Sequence, residues 1–138
     1  MPFTHETSFH VRYAETDESG VAHHSTYLVW FEEGRSSFLR ALGSGYDQFV
    51  EMGLYLPVVE AQVQYRAPAV YNQLITVRVW IAEVKSRAMT FAAEVVDAQS
   101  RQVLAQGYTR HICTDHEGHA RRVPESWRQL VNSGHEDG

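Results

Sequence analysis

TDESGVAHHSTYLVWFEEGR, residues 16–35, sets two acids, a glycine and two adjacent histidines directly before an apolar run of helical period. One small polar residue is usually enough to satisfy the first free amides of a helix. Residues 16–25 carry more ionisable and conformationally special chemistry than capping requires, which marks them as a candidate site. Beyond them the spacing predicts a helix over residues 26–42. Tyr27, Leu28, Phe31, Gly34, Arg35, Phe38, Leu39 and Leu42 fall on one face, with Glu32, Glu33, Ser36, Ser37 and Arg40 opposite. Gly43 is the expected stop. Gly34 lies on the inward face, where a missing side chain lets the backbone approach a sheet; a merely tolerated glycine would cost about 1 kcal/mol relative to alanine.

Working outward, Phe9, Val11 and Tyr13 alternate with His10 and Arg12, predicting a strand over residues 7–14. Residues 43–53 read as a turn and a short helix. Val59, Ala61, Val63 and Tyr65 then alternate with Glu60, Gln62, Gln64 and Arg66, and Ile75, Val77, Val79 and Ile81 with Thr76, Arg78 and Trp80. Met89, Phe91, Ala93 and Val95 mark a further strand, and residues 103–113 the last. The breaks KSRA and DAQSRQ are short enough for antiparallel hairpins. A short helix from about Pro124 and a flexible tail over 133–138 end the chain, leaving one domain over 1–132.

The order is strand, long helix, then four strands joined mainly as a meander. This predicts an α+β domain, a curved antiparallel sheet of about five strands around one long helix. One helix covers such a sheet only in part, so apolar area and strand edges are expected to drive self-association into a dimer or larger.

Composition narrows the function. The chain has 138 residues, 43% hydrophobic and 21% charged, enough for one globular domain. A formal net charge of -5 argues against a nucleic-acid partner. Cys113 is the single cysteine, so no intrachain disulfide and no cysteine-rich zinc motif is expected. With neither a signal-peptide pattern nor an apolar run near the roughly 20 residues of a membrane span, a cytoplasmic location is expected.

The stretch VRYAETDESGVAHHSTYLVWFEEGR resembles the signature of hot-dog-fold acyl-CoA thioesterases of the 4-hydroxybenzoyl-CoA type, a group that includes the Tol–Pal-associated bacterial thioesterases. Tyr13, Thr16, Asp17, Gly20, Val21, His24 and Tyr27 stand at the signature spacing, followed by Phe31, Glu32 and Arg35. The resemblance implies a hot-dog fold and an active site between subunits of a homo-oligomer, a dimer or a dimer-of-dimers homotetramer. It implies an acyl-CoA substrate, with coenzyme A held largely at the surface and no separate cofactor. It makes Asp17 the catalytic acid and the backbone amide at His24 the group that polarises the thioester carbonyl. Residues 23, 25 and 26 depart from the usual pattern, which bears on acyl specificity.

These residue types suit thioester hydrolysis. The reaction needs a nucleophile or activated water and a stabiliser for the developing oxyanion. Asp17 can supply the first, and free amides with the positive end of a helix dipole the second. Gly20 lets the loop turn and brings backbone toward a ligand. Asp17 as general base and Asp17 as direct nucleophile both remain open. So does a plain capping aspartate, and His24 could merely order the loop. Glu15 and Glu18 read as solvated loop charges, His23 as bland, and Val21 and Tyr27 as lining the site, with Tyr27 packed under the loop. Adjacent histidines generally point apart and no third ligand is spaced for them, so no metal is expected. Glu32 and Arg35 can pair along the helix, and Arg35 reads as structural, its inward face satisfied by a carboxylate.

Lys85, Ser86 and Arg87 form a turn that is either an ordinary polar hairpin or a contact for the coenzyme A phosphates. Arg66 and Arg122 are further phosphate candidates, while Glu60, Gln62 and Gln64 could meet the site of a neighbouring subunit. Two alternatives share the fold. One is a hot-dog dehydratase or hydratase pairing a histidine with an acid, against which the acid before the helix argues. The other is a non-catalytic acyl-CoA-binding protein.

Overall fold

The computed structural model describes residues 4–41, 46–125 and 128–129. Strand β1 (His5–His10) leads through a 3-10 turn (Tyr13–Glu15) and a loop into helix α1 (Thr26–Ala41). A short helix α2 (Tyr46–Glu51) precedes β2 (Val58–Tyr65), β3 (Leu74–Val84), β4 (Ala88–Asp97) and β5 (Val103–Ile112). Among the described residues these strands form one five-stranded antiparallel sheet in the order β1-β3-β4-β5-β2. The meander is therefore β3-β4-β5, and β2 crosses to the far edge beside β5. Register shifts between Ile81 and Glu83 and between Val95 and Val96 curve the sheet about α1, which packs against β3, β1, β4 and β2. This is the hot-dog arrangement.

The alternation of β-branched and aromatic residues explains the core. Ile75, Val77, Val79 and Ile81 of β3 and Met89, Phe91, Ala93 and Val95 of β4 are all buried against α1. Gly34 is the point of closest approach. A Cβ there would stand 2.7 Å from Val77 Cγ1 and 2.7 Å from Val79 Cγ2, so the helix can seat on β3 only with glycine at this position. Close packing, rather than tolerance, accounts for it.

Three sequence expectations shift. The first strand ends at His10, and Tyr13 lies in the 3-10 turn with 76% of its surface exposed, because the chain must leave the sheet there to build the loop. On α1 the buried stripe takes in Trp30 and leaves Leu28 exposed. Strand β2, expected to bury alternate residues, is exposed along nearly all its length, because α1 sits toward β1 and β3 and barely reaches β2 at the opposite edge of the sheet.

The expected last helix begins as predicted: Glu125, Arg128 and Gln129 are helical, and the Arg128 amide donates to Pro124 at 2.9 Å. Leu42, the Gly43 stop and the 133–138 tail lie outside the described residues. Among the described residues, no helix is long and apolar enough to cross a membrane.

Candidate active site

Residues 16–22 form a small hairpin. Thr16 bridges Ala22, the Asp17 amide donates to Val21 at 2.9 Å, and the Gly20 amide donates to Asp17 at 3.0 Å. Gly20 sits at φ 78°, a left-handed conformation that glycine adopts without a Cβ penalty, so the expected turning role holds. The hairpin is docked on residues 69–71. Ala22 donates to Ala69 at 2.8 Å, Tyr71 donates to Gly20 at 2.9 Å, and Val21 bridges Val70.

Asp17 is exposed on the single chain, and its carboxylate is oriented by its own loop. Oδ1 accepts from the Ser19 hydroxyl at 2.6 Å, the Ser19 amide at 2.8 Å and the Val21 amide at 3.4 Å. Among the described residues, Oδ2 has no hydrogen-bond donor. The Ser19 hydroxyl, then the Ser19 amide, holds the carboxyl below the usual aspartate range. Asp17 is therefore ionised at neutral pH, with one oxygen fixed and the other presented outward.

Residue 24 stands just ahead of α1. The His23 amide donates to Glu15 O at 2.8 Å, and the His23 carbonyl accepts from the Thr26 amide at 3.0 Å. No peptide here is cis, so the His24 N–H points opposite to the His23 carbonyl, away from the helix. Among the described residues, none accepts a hydrogen bond from it. An unengaged donor at the positive end of a 16-residue helix is suited to developing negative charge.

Two residues read as unimportant in the sequence build this corner. His23 orders the loop: its Nδ1 lies 2.8 Å from Ser25 Oγ and accepts from the Ser25 amide at 3.3 Å. Its ring lies against that of His24, centroids 4.4 Å apart, where adjacent histidines were expected to diverge; the turn at 24–25 brings them side by side. Glu15 is no solvated charge. It accepts from Trp30 Nε1 at 3.0 Å and from the Arg12 amide at 2.8 Å, while its carbonyl also receives the Thr26 hydroxyl at 3.3 Å. Among the described residues, no group of three or more His, Cys, Asp or Glu side chains is placed to hold a metal ion.

A groove of about 330 Å³ opens beside this corner, lined by Val21, His24, Tyr27, Tyr65, Arg66 and Pro68 among others. Tyr27 is buried under the loop as expected, its hydroxyl accepting from the Ala69 amide at 3.3 Å. Burial pushes that phenol above its usual value. Tyr65 was missed as a site residue. It reads only as one more aromatic of a strand, yet its hydroxyl donates to the His24 carbonyl at 2.8 Å.

Not every candidate converges. Val84, and with it Lys85, Ser86 and Arg87, lies at the end of β3 opposite Leu74, which pairs with His10 near the loop. Within one chain the turn is therefore remote from Asp17. Its backbone instead holds the C-terminal segment: Lys85 O accepts from Arg128, Ser86 O from Val123 and Arg87 O from Cys113. Glu60 is engaged by Tyr108 at 2.7 Å and Arg110 at 3.0 Å, and Gln64 by Arg66 and Gln106. Arg35 lies 3.9 Å from Glu32, and inward it meets an imidazole, with Nη1 3.2 Å from His111 Nε2 and the guanidinium over the Phe91 ring. His111 is fully buried, and burial lowers its pKa to about 4. It is a neutral acceptor there for the Arg35 guanidinium.

Comparison with known proteins identifies the family and the fold. Residues 11–130 match the model of the thioesterase-like superfamily. YneP of Bacillus subtilis (strain 168), which bears an acyl-CoA thioesterase name, is 32% identical over 107 residues, covering 78% of this chain and 77% of its own. The crystal structure of a hypothetical protein from Thermus thermophilus superposes with a TM-score of 0.88 at 38% identity, over 97% of this chain and 99% of that one. That of a 1,4-dihydroxy-2-naphthoyl-CoA thioesterase from Synechocystis superposes with a TM-score of 0.86 at 25% identity, over 94% and 96%.

Proposed function

The chain belongs to the thioesterase-like superfamily and is an acyl-CoA thioester hydrolase, and we propose that it splits its substrate into free coenzyme A and a carboxylic acid beside the His24 groove. The observation that carries this reading is that one loop ahead of α1 bears both an unengaged His24 N–H and an ionised Asp17 that presents Oδ2 outward.

The thioester oxygen lies against the His24 amide, where the helix dipole favours the negative charge that forms as the carbonyl is attacked. A carboxylate held at low pKa is a weak general base at neutral pH, which favours Asp17 Oδ2 as the nucleophile. It bonds to the acyl carbon as the carbon–sulfur bond breaks, and the coenzyme A thiolate leaves. Water then opens the mixed anhydride, releasing the acid and restoring the carboxylate. In this reading Arg66, exposed at the rim of the groove, meets a phosphate of coenzyme A. No further cofactor takes part.

A second copy of the chain completes the site. Val58, Val59 and Tyr65 of the edge strand β2 and Leu28 and Val29 of α1 leave 40–58% of their surfaces exposed. An edge of that length with apolar side chains is a template for pairing. Pairing β2 with its own copy would cover it and shelter the Asp17 loop from bulk water.

Free-thiol release across saturated, enoyl and aromatic acyl-CoA esters tests the reading. Turnover of at least one ester is expected, with Asp17→Asn reducing kcat by about 100-fold or more. A burst of thiol equal to the enzyme concentration would mark the anhydride. Hydration of enoyl-CoA without thiol release, or binding without turnover, would overturn the hydrolase reading.

A further inference from the structure

Helix α1 begins at Thr26, so the His24 carbonyl lies ahead of the helical ladder and must find a donor elsewhere. Tyr65, the last residue of β2, supplies it with a hydroxyl 2.8 Å away. The Tyr65 ring stands edge-on to Tyr27 at 5.1 Å between centroids, and Tyr27 is itself edge-on to the fully buried Trp30 at 4.8 Å. The hydroxyl is thus delivered from a ring backed by the core.

On the other side of residue 24, the His23 carbonyl is held by the Thr26 amide at 3.0 Å. The two peptide planes that meet at His24 are therefore each fixed by a hydrogen bond. Planar peptides leave only the two backbone dihedrals of residue 24 free, and pinning both planes removes that freedom. Without the Tyr65 hydroxyl, the second plane can rotate and the first is held only by a turn.

We propose that Tyr65 is a positioning residue for catalysis: by holding the His24 carbonyl, its hydroxyl fixes the direction of the His24 N–H toward the thioester oxygen. This rests on the reading of the His24 amide as the oxyanion donor. Because oxyanion charge develops only in the transition state, the effect falls on kcat and not on substrate binding. Removing one hydroxyl leaves the ring in the groove and its contact with Tyr27 intact.

The test compares wild type with Tyr65→Phe on whichever acyl-CoA ester wild type turns over fastest. Loss of an ordinary neutral hydrogen bond corresponds to about a tenfold fall in kcat, with KM and the thermal unfolding midpoint unchanged. The infrared stretch of the thioester carbonyl, bound to Asp17→Asn protein, should move back toward its solution frequency when Tyr65→Phe is added. Unchanged kcat, a matching rise in KM, or an unmoved carbonyl frequency would overturn the positioning role while the hydrolase reading stands. Failure of wild type to release thiol from any ester would overturn both.

Discussion

Trp30 donates its indole N–H to the Glu15 carboxylate across 3.0 Å, joining α1 to the turn that precedes the Asp17 loop. Trp30 is fully buried, so this bond ties the core of the domain to the segment that positions the proposed nucleophile. Glu15→Ala leaves a buried donor without an acceptor and is expected to cost about 2 kcal/mol of unfolding free energy in urea titration. The same variant should lose activity more steeply than stability alone explains, because the turn ahead of the Asp17 loop loses its side-chain bonds to Trp30 and to the Arg12 amide while the main-chain bond to His23 remains. Wild-type stability in Glu15→Ala would show the bond to be incidental.

Ser19 governs the ionisation of Asp17. Its hydroxyl and amide lower the carboxyl pKa, so wild-type activity should hold down to a pH below the ordinary aspartate range before protonation removes the nucleophile. Ser19→Ala removes the larger of these effects, and the acid limb of kcat should move to higher pH. An acid limb that does not move would detach Asp17 from the rate.

His111 makes stability depend on pH. Burial lowers its folded-state pKa from 6.5 to about 4, while the unfolded chain binds the proton at the ordinary value. Between those values the unfolded state holds more protons, so stability falls as pH drops through the window from 6.5 to 4 and levels off below it. The loss should reach on the order of 3 kcal/mol by pH 4. Denaturant titrations of wild type at pH 7, 5 and 4 should show this slope, and His111→Gln should flatten it.

The β2 edge should control association. Sedimentation is expected to show a dimer or larger at micromolar concentration. Charging the edge with Val58→Lys together with Val59→Lys should yield folded monomers of much reduced activity. A double variant that stays associated would place the interface elsewhere.

The elements were legible because their signals are local. The alternation through Ile75–Ile81 and Met89–Val95 and the 3.6-residue stripe of α1 each follow from burial of one face, and Gly34 could be read as a contact with the sheet before Val77 and Val79 were seen beneath it. Trp30 and Leu28 traded places because a helical stripe read from sequence has no fixed edge. The spacing from Tyr13 to Arg35 likewise carried the family and singled out Asp17, Gly20 and His24 as candidates.

The sequence by itself determined the inventory: one long helix, short helices after it and at the end of the chain, five strands, and a loop of unusual chemistry between the first strand and the long helix. Only the tertiary structure decided what holds that loop. Glu15 beneath Trp30 and Tyr65 reaching His24 from 41 residues away are contacts made by folding separate segments together. Within one chain it also set Lys85–Arg87 apart from the loop. Period and spacing record which face a residue presents along its own element, whereas hydrogen bonds between elements depend on how the sheet curves around the helix, and no local pattern carries that curvature.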